Sequence, residues 1–370
     1  MLSRLQPPDR MRDILPGQCG LMRQKEQILR ELFLSYGFSE VSTPAYEYYD
    51  VCTLGLGASD ELIKFIGSRG EVLALRPDFT IPIARMYAAN LSGVQRLFYI
   101  GPAYTAKPAG KGSCEYTQAG VELIGQKSLA NDAQTVALAI DSLVALGISD
   151  IKIDIGQVGF FKEIVAPLGS NEQEKIRRSI DSKNMSELED VLSKTGIEDN
   201  IKEALKQLIY LFGGFEIFEK AKKLAPTEKC LDQISYLQEL GELLASIGYG
   251  DYISFDLGIL NNYNYYTGIV FKGFSSALGT GLLSGGRYDN LLSCFLKDGP
   301  AVGFAIDLQK VMQIESSQSV EADCYILADI NTCTQAFEEQ KKLVSEGKNV
   351  ALYFDTLPDG ITQNIVDLRK

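Results

Sequence analysis

The sequence predicts an α+β fold, and three observations carry that prediction. Residues 96–125 read as strand, loop, strand: two flanks rich in aromatic and β-branched residues enclose Pro108 and two glycines around Lys111. Residues 158–250 show helical patterns dense in Lys and Glu with few strand signals, which marks a helical insertion. The last 50 residues, from Glu321, read strand, helix, strand, a small α/β segment. The expected organisation is one large domain over 1–319, interrupted at about 158–250, and a small C-terminal domain over 320–370.

Taken in order, Arg12–Gly17 forms a turn and a helix follows to about Tyr36. Leu21, Ile28 and Leu32, with Leu29 and Phe33 one step round, make its apolar stripe, and Gly37 stops it. Residues 38–49 read as a strand interrupted by Pro44; proline cannot donate to a ladder, so this strand sits at an edge or an interface. Residues 72–76 form a short strand, and a helix over about 81–89 tolerates Pro82 in its first turn. After the 96–125 hairpin come a helix of about 130–146, closed by Gly147, and a strand of about 151–155. Within the insertion, Ser186 and Glu189 have the spacing of a capping box. Strands resume at about 252–257 and 265–274. The run Gly279–Gly286 matches a dinucleotide loop only superficially, because no helix opens at its third glycine; it reads as a β-ribbon. A strand and helix over 301–313 complete the large domain, and Ser316–Val320 has the composition of a linker.

Composition removes several function classes. The chain has 370 residues and a formal net charge of −12, against the phosphate neutralisation by Lys and Arg that nucleic-acid binding relies on. There is no histidine, so the commonest metal ligand and the commonest general base are both missing. Seven cysteines lie scattered without a C-x-x-C pair, the pattern of reduced, mostly buried thiols rather than a disulfide frame or zinc site. No apolar run reaches membrane-spanning length and the N-terminus lacks an apolar signal core, so a cytoplasmic protein is expected.

The second strand of the hairpin is where chemistry is expected. Alternation puts Gln118, Gly120 and Glu122 on one face and Ala119, Val121 and Leu123 on the other. Gln118 and Glu122 then offer an amide and a carboxylate roughly 13 Å apart along the backbone, with Gly120 between them for close approach of a ligand. Two readings stand: the floor of a small-molecule site, or an antiparallel strand with one solvated face.

Several stretches together resemble the class II aminoacyl-tRNA synthetases, and most closely the histidyl-tRNA synthetase catalytic domain. They are the Pro44 strand, Leu75-Arg76-Pro77-Asp78 with Thr80, Gln118-Ala119-Gly120-Val121-Glu122, Tyr265-Tyr266-Thr267, Gly285-Gly286-Arg287-Tyr288-Asp289 and Pro300-Ala301-Val302-Gly303-Phe304. The resemblance spans about residues 7–311. It implies an antiparallel sheet of six or seven strands flanked by helices, dimerising through the Pro44 region. It also implies a histidine pocket: Asp78, where the family has Glu, and Thr80 at the ammonium end, Gln118 and Glu122 along the wall, Tyr265 and Tyr266 against the imidazole. A carboxylate offsets part of the cost of burying an ammonium, and amides and phenols bond an imidazole in either protonation state.

The departures are as informative. Where the synthetase has an arginine for the α-phosphate of ATP, this chain has Tyr104 and Thr105, with Lys107 the nearest cation. Lys310 stands in place of the γ-phosphate arginine, and Asn261–Asn264 occupies the place of the one that assists activation. Guanidinium forks stabilise the charge built up at phosphorus bidentately; lysine is a poorer substitute, and threonine and asparagine are none. Losing one such donor costs about 3 kcal/mol, so three losses leave almost no turnover.

A synthetase fold with its amino-acid pocket kept, its ATP grip removed and its C-terminal arm shortened resembles the regulatory subunits of ATP phosphoribosyltransferase. The runs Thr117–Gly125 and Tyr265–Phe271 fit that family more closely. The resemblance implies a non-catalytic, cofactor-free chain that binds L-histidine. It would join the short-form catalytic subunit in a hetero-octamer of four and four, and mediate activation and feedback inhibition at the first step of histidine biosynthesis, with no tRNA and no membrane. The alternatives are a histidyl-tRNA synthetase or related ligase using Lys107, Lys111 or Lys310, and an interaction protein with a vestigial pocket.

Overall fold

The structure, a computed structural model, describes residues 5–54, 61–107, 112–260, 265–314, 322–358 and 360–369. Lys111, the Asn261–Asn264 run and the expected linker at Ser316–Val320 lie outside the described residues. The chain divides into two compact units, one of residues 1–13 and 22–316 and the other of 14–21 and 317–370.

The large unit is built on a nine-stranded sheet. Its six central strands run Gln95–Tyr104, Glu115–Ile124, Ala301–Asp307, Leu278–Arg287, Ile269–Ser275 and Ile151–Gln157, each antiparallel to its neighbour. The expected six or seven antiparallel strands understate it. Ser39–Glu40 adds a parallel edge beside Leu97–Phe98, and Ile253–Asp256 pairs in parallel with Ile151–Gln157. Phe212–Gly213, inside the helical insertion, forms the opposite edge. Strands of two residues show no alternation to read.

One face of this sheet carries the main core, where Phe33, Phe98 and Phe304 pack with ring centroids 5.5 and 6.2 Å from Phe33. The helix Leu129–Ala145 closes over it with Val136, Ile140 and Leu143. Ala119 and Val121 point into this core. The opposite face carries a second cluster that includes Phe79, Tyr99, Tyr265, Tyr266 and Tyr288, and Gln118 and Glu122 face that side.

Several local expectations shift. Pro16 and Gly17 open the first helix, Pro16–Ser35, rather than lying in a turn, since proline suits a first helical position. The buried face of that helix is Met22, Lys25, Glu26, Leu29 and Phe33, not the Leu21–Ile28–Leu32 line. Lys25 is accommodated because its ammonium donates to the Leu146 carbonyl at 2.8 Å. Pro44 divides the 38–49 stretch into two strands in different sheets: Tyr46–Tyr48 joins Lys64–Ile66 and Val72–Leu75. No capping box forms at Ser186 and Glu189; a simple side-chain cap stands two residues earlier, and the Asn184 N–H goes to the Ser179 carbonyl. Asn184 caps Met185–Ser193, accepting from the Glu187 N–H at 3.2 Å while its amide donates to the Glu187 carboxylate at 3.1 Å. Tyr265 and Tyr266 precede the strand expected to hold them, which starts at Ile269. Of the seven cysteines only Cys52 and Cys230 are buried, and Cys294 is exposed.

The small unit is a three-stranded parallel sheet, ordered Val350–Phe354, Cys324–Ala328, Ile365–Asp367. The helix Cys333–Ser345 packs Ala336 and Leu343 against Ile326 and Ala328. Its third strand has three residues and no sequence pattern announced it.

Phe33 has no exposed surface and joins the helix to two strands, so Phe33→Ala should lower stability by about 3–5 kcal/mol. A urea denaturation midpoint indistinguishable from the parent would contradict that packing role.

Candidate functional site

Strand pairing assembles the site. Glu115–Ile124 lies between Gln95–Tyr104 and Ala301–Asp307, so Glu122 stands opposite Leu97 and Gly303, and Gly120 opposite Tyr99 and Ala305. The turn after the Val72–Leu75 strand brings Asp78 to the start of the helix Thr80–Asn90, where Asp78 Oδ1 accepts from the Ile81 N–H at 3.3 Å. Tyr265 and Tyr266 close the side, their rings 4.8 Å apart, and the Tyr288 ring meets Tyr265 edge-on at 5.7 Å.

All six residues proposed from the sequence, Asp78, Thr80, Gln118, Glu122, Tyr265 and Tyr266, line one cleft whose enclosed volume is about 20 Å³, room for about one water molecule. Small-molecule sites span roughly 300–1,000 Å³, so this cleft must open to admit a ligand. The face is not solvated: Glu122 is 1% and Gln118 9% exposed. Nor does Gly120 leave room for a ligand. A Cβ there would lie 2.2 Å from the Phe304 carbonyl and 2.5 Å from the Tyr99 hydroxyl, so its space is already filled.

Three polar side chains of the cleft escaped the sequence reading as site residues: Tyr99, Ser284 and Tyr288. Tyr288 belongs to a quoted motif, but its contact is 166 residues away: its hydroxyl donates to Glu122 Oε2, while Thr80 donates to Oε1 at 2.8 Å. Tyr99 depends on cross-strand register, which alternation alone does not reveal.

The electrostatics are one-sided. Among the described lining residues there are two carboxylates and no Lys or Arg. Burial pushes Glu122 up to about 8, with neighbouring Asp78 adding to the rise and the Tyr288 and Thr80 hydroxyls opposing it. Burial likewise raises Asp78 to about 6, against the pull of the Ile81 and Thr80 N–H groups. Among the described residues, two buried acceptors, Asp78 Oδ2 and Gln118 Oε1, find no hydrogen-bond partner, and an unmet buried acceptor costs about 1–3 kcal/mol until a donor arrives. The cleft therefore asks for a ligand that brings N–H donors and positive charge.

Cations of the large unit that the sequence singled out are engaged elsewhere. Lys310 donates to the Gly281 carbonyl at 3.0 Å, with the Asp307 carboxylate 3.7 Å away. Arg76 is drawn onto the carbonyls of Thr43 and Pro102 at 2.6 and 2.8 Å and stacks 3.9 Å over Phe79. Arg287 is buried against Asp132 and Asp289.

The family model described as histidyl-tRNA synthetase matches residues 10–311. A crystal structure described as an ATP phosphoribosyltransferase regulatory subunit/histidyl-tRNA synthetase from Bacillus halodurans C superposes with a TM-score of 0.88. It is 30% identical, with 99% of this chain and 97% of that chain covered. Histidyl-tRNA synthetase from Nostoc sp. PCC 7120 shares the fold at a TM-score of 0.79 and 21% identity, over 97% of this chain and 88% of that one. The large unit is thus a histidyl-tRNA synthetase-like, class II synthetase fold. Among curated proteins, the ATP phosphoribosyltransferase regulatory subunit of Thermoanaerobacter sp. (strain X514) is 36% identical over 97% of both chains. That of Clostridium kluyveri is 38% identical over 92% of this chain and 91% of its own. The chain belongs to the ATP phosphoribosyltransferase regulatory subunit family.

The buried carboxylate makes stability depend on pH with a definite sign. Glu122 titrates near 8 when folded and near its ordinary 4.5 when unfolded, so the folded chain holds the extra proton between those values. Its contribution is fully present below about pH 4.5 and is lost as pH rises through 8. The melting temperature of the ligand-free protein should fall more steeply between pH 5 and 8 than that of Glu122→Gln. Parallel curves would show that Glu122 is not the buried acid described.

Proposed function

We propose that this chain is a non-catalytic regulatory subunit of ATP phosphoribosyltransferase, the enzyme of the first step of histidine biosynthesis, and that it binds L-histidine in the Asp78–Glu122 cleft. One observation carries the reading. The cleft retains acceptors with no partner among the described residues, fit for an ammonium and an imidazole, whereas Lys310, where the resemblance puts the phosphate grip, is held by the Gly281 carbonyl. Asp78 and Thr80 stand at the ammonium end, Gln118 and Glu122 line the same pocket within reach of that charge, and Tyr265 and Tyr266 meet the imidazole.

On this reading the partner is the short-form catalytic subunit, within a cytoplasmic hetero-octamer, and histidine favours the inhibited arrangement by a coupling of about 1–3 kcal/mol. The small sheet after Pro44 supports self-association. It presents Tyr46, Tyr48 and Phe65 at 52%, 56% and 38% exposure, an apolar patch of the kind that marks interfaces. The domain division at 319/320 belongs to the same proposal, and neither tRNA nor a cofactor is required. The alternative, a histidine-activating ligase, needs Lys310 to leave its carbonyl and Lys107 to serve in place of an arginine.

Calorimetry with L-histidine should show binding to the purified chain. Glu122→Ala and Tyr266→Ala should each weaken it at least tenfold, about 1.4 kcal/mol, without unfolding the protein. Unchanged affinity in both variants would displace the site. Histidine-dependent ATP–pyrophosphate exchange by the chain alone would overturn the regulatory reading in favour of the ligase. A tagged chain should also retain the catalytic phosphoribosyltransferase subunit from native lysate.

A further inference from the structure

The cleft poses a charge problem that its own residues leave unsolved. Asp78 and Glu122 share one buried space, and two carboxylates in a low-dielectric site do not both ionise readily. The groups facing Glu122 are Thr80 from the helix Thr80–Asn90, Tyr99 from the Gln95–Tyr104 strand, Asp78 from its turn, and Tyr265, Tyr266 and Tyr288. From the Ala301–Asp307 strand only Gly303, Phe304 and Ala305 line the space. None of these carries positive charge. Arg287, next to Tyr288, pairs with Asp132 and Asp289 instead.

We propose that the cleft takes its ligand as a cation and that entry of the cation drives a proton from Glu122 into solvent, so that occupancy rises with pH. The proposal rests on the histidine reading and adds its proton coupling. The step balances: the neutral Glu122 carboxylic acid and a free ammonium ligand give a carboxylate–ammonium pair in the cleft and one released proton. Three features of the geometry support it. Thr80 and Tyr288 hold one hydroxyl each on the two Glu122 oxygens, ready to donate to the ionised form. Among the described residues, Asp78 Oδ2 and Gln118 Oε1 find no donor. Gly303 leaves the approach that places Glu122 here, since a Cβ would lie 2.0 Å from Glu122 Oε2. With Glu122 titrating near 8 in the empty cleft, release is substantial at neutral pH and fades above 8.

The test is titration calorimetry of the full chain with L-histidine at pH 7.5 in phosphate and in Tris, whose different ionisation enthalpies count protons. The ligand's imidazole is then mostly neutral, its ordinary pKa being about 6.5. The parent should release about one proton per site, and its affinity should rise by up to about tenfold per pH unit below 8. Glu122→Gln should release none and bind with little dependence on pH. Tyr288→Phe removes a donor to the ionised form and should move the affinity midpoint to higher pH; this arm decides if Glu122→Gln fails to bind or fold. Binding with equal heats in both buffers, or an unmoved midpoint in Tyr288→Phe, overturns the proton coupling and leaves the histidine site standing. No binding anywhere between pH 6 and 8.5 removes the histidine site itself, and the coupling with it.

Discussion

Glu122 is a carboxylate buried where no cation of the described lining reaches it, and the large unit is built to tolerate that. Burying an unpaired charge is expensive, and the usual responses are pairing or protonation. Here the response is protonation, burial pushing the acid up to about 8, while two hydroxyls stand on its oxygens where a counter-ion would sit: Thr80 from a helix start and Tyr288 just past the end of a strand. Backbone geometry follows the same demand. Gly303 lies directly across the ladder from Glu122, and a methyl group there would also meet the Val121 carbonyl at 2.3 Å. Cations nearby are spent on backbone or on other acids, as with Lys162 on the Tyr266 carbonyl, Arg76 on Thr43 and Arg287 on Asp132.

The surroundings of Lys310 obey the opposite rule. Lys310 lies close to the Asp307 carboxylate that caps its own short helix, accepting from the N–H groups of Gln309 and Lys310 at 3.1 and 3.2 Å. Drawing it toward any anion means breaking its bond to Gly281 first. A lysine so engaged is a poor stand-in for a guanidinium that presents two donors in a fixed fork. Interior acceptors awaiting a donor invite a small cation, whereas donors already satisfied do not invite an anion.

What the sequence revealed follows from how far each signal reaches along the chain. Alternation over Glu115–Ile124 was enough to put Gln118 and Glu122 on one face, because a long strand repeats its period several times. Long helices such as Leu129–Ala145 announced themselves the same way. Asp78, Thr80, Tyr265 and Tyr266 carry no periodic signal and were legible only through motif resemblance. Tyr99 was invisible for a different reason: its place depends on which residue faces Gly120 across the ladder. The misplaced cap shows a third limit. Ser186–Glu189 and Asn184–Glu187 have the same spacing, and only the backbone decides which pair stands at the helix start.

A binding site reports its occupancy only if some other part of the molecule shares its equilibrium, because a ligand shifts two states by no more than its differential affinity for them. The wall formed by Tyr265 and Tyr266 has such ties at both ends of the helical insertion. Lys162, on the first helix of the insertion, Val158–Val165, donates to the Tyr266 carbonyl, and the Val158 N–H donates to the Gly268 carbonyl at 3.0 Å. From the other end, Tyr236 on Glu228–Ser246 donates to Asp132 at 2.6 Å; Asp132 holds Arg287, whose carbonyl accepts from the Thr267 N–H at 2.7 Å. A movement of the tyrosine pair toward a ligand therefore either breaks buried, partly charged hydrogen bonds or carries the insertion with it. Breaking them leaves buried groups unpaired, the costlier course. On the binding reading proposed above, the insertion would move with the wall, and a cleft with little enclosed room would act as a lever on a helical surface much larger than itself.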